Sequence, residues 1–327
     1  MSIVKKLGHF LVTTPTVISI ILGLTLAVWH NIGSGIPSSV QIVFSLLFIG
    51  LTGIPHGAID HLVEQETAKR MDKSFEMPVF ILKYLLIMLG YGIVWLWQPS
   101  ISLLLFIIIS AWHFGETDIE NAPSDAPWNF TRLFFGSFVI GYLLLTHSGE
   151  VTPILRRISQ YNPTLMNTWH NLVEFQNAAF LFSFLIFSIV FSIAQSNKSI
   201  FIDKIRILRL FIILITAYFL PLMVAFALYF GGWHALCSFN TIKNYIFNSE
   251  VNKLKSTPAL ALSVWSKTLL FSVIAVVFLG FATWYWFNYR QESDPLPPLF
   301  IFLSLITLPH LTVMHGMNKY VEIVKLN

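Results

Sequence analysis

Four stretches of this chain set histidine among glycine, proline or acidic residues: Gly53-Ile-Pro-His56-Gly-Ala-Ile-Asp60-His61, Trp112-His113-Phe-Gly-Glu116-Thr-Asp118, Gly231-Gly-Trp-His234-Ala-Leu-Cys-Ser238, and Leu308-Pro-His310-Leu-Thr-Val-Met-His315-Gly. Imidazole suits iron, copper or zinc, and a helical bundle builds a metal site from side chains that separate helices project inward. The single Cys237 offers neither a CxxC pair nor an intrachain disulfide, which disfavours a structural zinc site. Carboxylates stand close by. His56 and Asp60 are four residues apart and His113 and Glu116 three, so each pair can share a helical face. A ligating imidazole usually gives its other N–H to such a partner, which fixes its tautomer. Asp60, Glu116 and Asp118 are therefore expected to support the imidazoles from behind. One histidine near a helix end is ordinarily a hydrogen-bonded interfacial side chain; four in the same setting point to a shared metal. His9, His30, His147 and His170 lack that setting and read as surface residues. Met314 and Met317 read as packing residues.

Such a cluster needs a scaffold, and composition says which kind. Of 327 residues 55% are hydrophobic and only 11% charged, with mean hydropathy +0.71, where soluble domains carry about 25% charged residues. The expected fold is an all-α, polytopic integral membrane helical bundle forming a single transmembrane domain over 1–327. Apolar runs suited to spanning helices lie near 10–29, 38–55, 79–97, 100–115, 130–146, 177–195, 266–288 and 297–316. The stretch from Leu208 to Cys237 is long for one span and has Pro221 near its middle, where proline removes a backbone donor. Two helices broken there bring the total to about ten. Lys5 and Lys6 ahead of the first run resemble a signal peptide, but the run is long enough to span and no small-residue cleavage site follows, so it reads as an uncleaved helix.

Positive charge gathers in short cytoplasmic loops. With the N-terminus inside and a break at Pro221, Lys69, Arg70, Lys73, Lys198, Lys204, Arg206, Arg209, Lys243, Lys253, Lys255, Lys319 and Lys325 fall inside, leaving Arg156, Arg157 and Arg290 outside. That topology puts both termini in the cytoplasm, the chain in the cell (inner) membrane, and all four histidine segments at cytoplasmic helix ends. The net charge of +4 is spread over segment ends rather than clustered, which excludes a nucleic-acid partner. The connections near 148–176 and 240–265 are polar enough for the membrane surface, and Trp95, Trp97, Trp128, Trp284 and Trp286 suit interfacial belts. Thirty Phe residues either line a channel for an apolar substrate or face lipid.

Pro55-His56-Gly57-Ala58-Ile59-Asp60, His113-Phe114-Gly115 with Asp118, the stretch from Tyr229-Phe230 to His234, and Pro309-His310 together resemble the Brp/Blh family of bacterial and archaeal β-carotene 15,15′-dioxygenases. The resemblance extends from about residue 50 to 316. It implies a non-haem Fe(2+) enzyme that uses O2 to split the central double bond of β-carotene into two all-trans-retinal, with the lipid bilayer and a retinal-binding opsin as partners. It also implies His56, His113 and His234 as metal ligands. The family's next histidine falls at Ser238, a poor replacement for imidazole on iron, which leaves Ser238 a place beside the ligands rather than among them. Cys237 stands where a basic residue is common. Either three histidines with water or O2 hold the metal, or another histidine takes the vacant place, for which His310 is the first choice, since it lies on another helix. His61 and His315 are the alternatives, although His61 is turned roughly 140° from His56 on an ideal helix, and His315 stands where Asp is expected. Two other histidine oxygenase patterns, HxxxH and HxxHH, are absent, which argues against a di-iron desaturase. A membrane factor that binds carotenoid or retinal without cleaving it, and assists rhodopsin assembly, is the alternative function, and a transporter with helices broken at Pro221 and Gly231-Gly232 is a weaker third.

Overall fold

The computed structural model describes residues 15–120, 122–247, 257–289 and 294–326. In order its helices are Pro15–Ile32, Ser38–Phe48, Ile54–Ala58, Asp60–Arg70, Met77–Trp97, Pro99–Asp118, Ala126–Thr146, Ser148–Ile158, Pro163–Glu174, Gln176–Asn197, Lys204–Tyr218, Leu222–Tyr229, Leu236–Phe247, Thr257–Tyr289 and Leu296–Leu326. Five-residue and six-residue π-helical turns, Ile49–Gly53 and Phe230–Ala235, interrupt two of these runs. Pro78, Pro99, Pro127 and Pro163 sit in first turns, where a missing N–H costs nothing. Asp125, Asn162 and Asp203 cap their helices by accepting backbone N–H groups.

Among the described residues nine helices are long and apolar enough to cross a membrane, and they take in all eight apolar runs, residues 10–14 of the first lying outside the described part. The chain does break at Pro221: one helix ends at Tyr218 and Pro221 caps the next. Asn31 Nδ2 donates to the Phe219 carbonyl freed there, at 2.8 Å. Lys204–Tyr218 has 15 residues, about 22 Å of helix against a bilayer core of about 30 Å.

Several local expectations are corrected. The histidines are not all at helix ends, because the helical runs bearing His56, His234 and His310 continue to Arg70, Phe247 and Leu326. Hydropathy marks where apolar side chains stop, while backbone hydrogen bonding carries on through polar ones. His147 is buried rather than on the surface, its Nδ1 2.8 Å from the Leu143 carbonyl oxygen at the helix end. His170 is exposed and His30 half-buried, whereas His9 lies outside the described residues. Trp95 and Trp128 are core residues, and Trp128 Nε1 donates to the Lys198 carbonyl at 3.0 Å. Trp97 and Trp284 are exposed, as a belt requires. The 148–176 connection is two amphipathic helices that bury Val151, Ile154, Leu155 and Ile158, then Met166 and Trp169. Phe182, Phe184 and Phe281 are exposed on helices long and apolar enough to cross a membrane, and Phe201 and Phe211 are exposed as well, so these five do not line an enclosed channel within their units.

The chain divides into two compact units, 1–59 with 202–276 and 60–201 with 277–327. In the first, Leu222–Phe247 is the central helix: 72% of its apolar window is buried. Val224, Ala225, Ala227, Leu228 and Tyr229 are inaccessible to solvent. Ser38–Phe48 packs against it closely enough for Ser45 Oγ to donate to the Met223 carbonyl at 3.2 Å. The two π-helical turns face one another. A Cβ on Gly231 would come 2.7 Å from the Phe48 carbonyl oxygen, and one on Gly53 2.6 Å from the Phe230 ring. Thr52 Oγ1 lies 2.9 Å from the Gly231 carbonyl, and Trp265 Nε1 donates to the Leu51 carbonyl at 2.9 Å. The Thr52 hydroxyl also meets the Phe48 carbonyl at 2.5 Å, so its one proton serves both π-turns, each of which receives a side-chain approach. Thr52→Val, which keeps the shape and removes the hydroxyl, is expected to cost about 1 kcal/mol in reversible unfolding of the detergent-solubilised protein.

In the second unit the most buried spans are Pro99–Asp118 and Leu296–Val321, at 39% and 44%, and Gln176–Asn197, at 6%, is peripheral. Gly115 and Gly136 form the contact between Pro99–Asp118 and Ala126–Thr146. A Cβ on Gly115 would fall on the backbone of Arg132, and one on Gly136 on that of Ala111. Small residues at this crossing let the two backbones touch.

Candidate metal centre

Each unit buries two of the four histidines side by side. In the first unit, His56 follows one π-turn by three residues and His234 lies inside the other. Their relative exposures are 2% and 0%, and their rings meet edge-on with centres 5.3 Å apart and planes at 85°. A π-turn inserts a residue into the helical register and re-aims the side chains after it, and such turns recur at functional sites. Phe230 stacks on His234 with centres 6.0 Å apart, and Phe226 on Phe230 at 5.4 Å, so three rings form a column along one helix. Cys237 and Ser238 are buried about one turn beyond. A Cβ on Gly57 would meet nothing within 4 Å among the described residues, so Gly57, unlike Gly231 and Gly232, is not a packing glycine there.

In the second unit His113 and His310 approach nitrogen to nitrogen, Nε2 to Nε2, at 3.2 Å, with ring centres 4.7 Å apart and planes at 89°. Both are 4% exposed. His310 Nδ1 lies 2.7 Å from Asp60 Oδ1, 250 residues away in sequence. The carboxylate accepts, so Nδ1 carries the proton and Nε2 turns a lone pair toward His113. Two facing imidazole nitrogens need a proton or a cation between them. Tyr84 donates to the other Asp60 oxygen at 3.1 Å. Asp60, expected behind His56, therefore has His310 and Tyr84 as hydrogen-bond partners in this unit.

Of the remaining candidates, Glu116 is half-buried with Oε1 3.5 Å from Asn318 Nδ2, and Asp118 is half-buried at the end of the same helix. His61 is buried one residue after Asp60. His315 is exposed, five residues beyond His310. Tyr84 and Thr52 were missed by sequence reasoning. The only signal for Tyr84 is a hydroxyl in the middle of an apolar helix, and tyrosine is too common in membrane proteins for that to single it out.

The donor chemistry fits a first-row divalent metal. An ion bound at about 2.1 Å by each nitrogen holds two neighbouring imidazoles with nitrogens about 3 Å and ring centres about 4.5 to 5.5 Å apart. The His113–His310 pair meets both measures, and the His56–His234 pair meets the second.

A family model described as beta-carotene 15,15′-dioxygenase matches residues 47–318 of the chain. A curated protein of that name from uncultured marine bacterium 66A03 is 24% identical over 278 residues, which cover 83% of this chain and 91% of the relative. No solved structure matches. The matched region runs from just before the first π-turn to beyond His310 and so takes in both histidine pairs, and the chain belongs to the β-carotene 15,15′-dioxygenase family.

Proposed function

We propose that this protein cleaves the central double bond of β-carotene with O2 to give two all-trans-retinal, and that His56, His113, His234 and His310 hold the Fe(2+) that the reaction uses. The observation that carries the proposal is the buried His113–His310 pair, with its nitrogens 3.2 Å apart and Asp60 fixing the tautomer of one, in a chain of the dioxygenase family. Bound Fe(2+) would supply the activation of O2. One C=C and one O2 balance two aldehydes, so no external electrons or protons are required and the protein's work is binding, orientation and exclusion of water. Asp60 keeps the His310 Nε2 lone pair available. The half-buried column of Phe226 and Phe230 beside His234 gives an apolar polyene a flat surface to lie along. A substrate that dissolves in the bilayer core can reach such rings laterally. The protein would then act in the cell (inner) membrane, with both termini cytoplasmic, and hand retinal to an opsin.

The test is expression in β-carotene-producing cells with retinal measured by chromatography. Retinal should appear as carotene falls, and the purified protein should carry about one iron per chain. Unchanged carotene with well-expressed, iron-loaded protein would defeat the proposal. Pigment retained on iron-free protein would favour the non-cleaving carotenoid-binding role instead.

A further inference from the structure

Behind the His113–His310 pair stand Asp60 and then Tyr84, and the ligand assignment gives a purpose only to the first. Asp60 presents one carboxylate oxygen to His310 Nδ1 at 2.7 Å and the other to the Tyr84 hydroxyl at 3.1 Å. The same hydroxyl is 3.4 Å from the Ile306 carbonyl. That carbonyl is three residues before Pro309, which lies inside the His310 helix. Proline has no N–H to offer the carbonyl four residues back, that of Leu305, and Ile306 is the next carbonyl along the same turn. A tyrosine at this place touches both the carboxylate behind the His310 ring and the helical turn that carries His310.

The phenol has one proton for two acceptors. The shorter contact and the negative charge assign it to Asp60, which leaves the Ile306 carbonyl a weaker, shared approach. Without the hydroxyl, Asp60 can rotate about its side-chain bonds, and its hold on Nδ1–H loosens. His310 would then sample the tautomer and ring rotations that turn Nε2 away from His113. Phenylalanine at this position keeps the ring and its packing while removing only the orienting group.

We propose that Tyr84 is a positioning residue for the metal centre, acting through Asp60 to fix the tautomer and direction of His310. This inference rests on the reading of His310 as a ligand. Partners of ligating imidazoles typically change metal affinity about 10-fold to 100-fold when removed, and Tyr84, one group further back, should sit at the lower end.

Full-length protein, stripped of metal in detergent, would be titrated with Co(2+) alone, whose visible absorption reports both affinity and ligand geometry. Tyr84→Phe is expected to weaken cobalt binding about tenfold and to shift the absorption bands, with Asp60→Asn shifting them the same way and weakening binding further. A merely structural Tyr84 would lower the unfolding midpoint of the metal-free protein and leave cobalt affinity and bands as in wild type, which overturns the proposal. His310→Ala separates the two levels. If His310→Ala binds cobalt more weakly while Tyr84→Phe matches wild type, only the role of Tyr84 fails; if His310→Ala itself matches wild type, the ligand reading fails and takes Tyr84 with it.

Discussion

Replacing His113 with alanine should reduce the iron retained on purification and the rate of retinal formation by at least about 100-fold, more than removal of any supporting group. The imidazole is 4% exposed and its Nε2 is 3.2 Å from that of His310. Its loss removes a donor at a distance suited to a shared ion and opens a cavity that water can enter. Folding must be checked separately, because a buried polar truncation also costs stability: helical circular dichroism near that of wild type, with iron lost, would assign the effect to the metal. His170→Ala is the internal control. His170 is exposed, so its variant should keep wild-type iron and activity within about twofold, since surface changes are usually worth less than about 0.5 kcal/mol. Wild-type iron content in His113→Ala would remove the basis of the site.

The second large effect concerns the scaffold. Gly115→Ala and Gly136→Ala each place a methyl group onto the backbone of the facing helix, Arg132 in one case and Ala111 in the other. Backbone cannot step aside as a flexible side chain does, so the helices must separate along their contact. Overpacking in a core costs about 1 to 3 kcal/mol, and a backbone clash belongs at or above the top of that range. His113 is two residues from Gly115, so the same separation moves its nitrogen relative to His310. Both variants should therefore unfold earlier in a denaturant titration and bind metal less tightly. Gly141, on the same helix as Gly136, has nothing within 4 Å of its added Cβ among the described residues. Gly141→Ala should be neutral or stabilising by up to about 1 kcal/mol, since alanine favours the helix. Equal stability of Gly136→Ala and Gly141→Ala would contradict the packing described for that pair.

Much of this protein was legible one segment at a time. Membrane character, the eight apolar runs and the break at Pro221 follow from properties of consecutive residues: how long an apolar run is, and what a proline does to the backbone it interrupts. The four histidine segments stood out for the same reason, since glycine, proline and carboxylates around imidazole are visible without any fold. The π-turns were not legible, because hydropathy and helix propensity are nearly blind to one inserted residue. Sequence alone places Trp128 in an interfacial belt and His147 on the surface, because tryptophan and histidine near helix ends are commonly there; packing instead puts both inside, with the Lys198 and Leu143 carbonyls as partners.

What the amino-acid order determined by itself is therefore the set of apolar spans and the set of imidazoles, because both depend on neighbours within a few turns. Tertiary structure alone decided which imidazoles meet and what stands behind them. Asp60 shows the difference: spacing offered it to His56 four residues away, and its carboxylate bonds His310, 250 residues away, with Tyr84 on its other oxygen. A helix face constrains direction only along its own axis, whereas a contact across helices depends on where glycines such as Gly115 and Gly136 let backbones touch, and that cannot be computed from spacing.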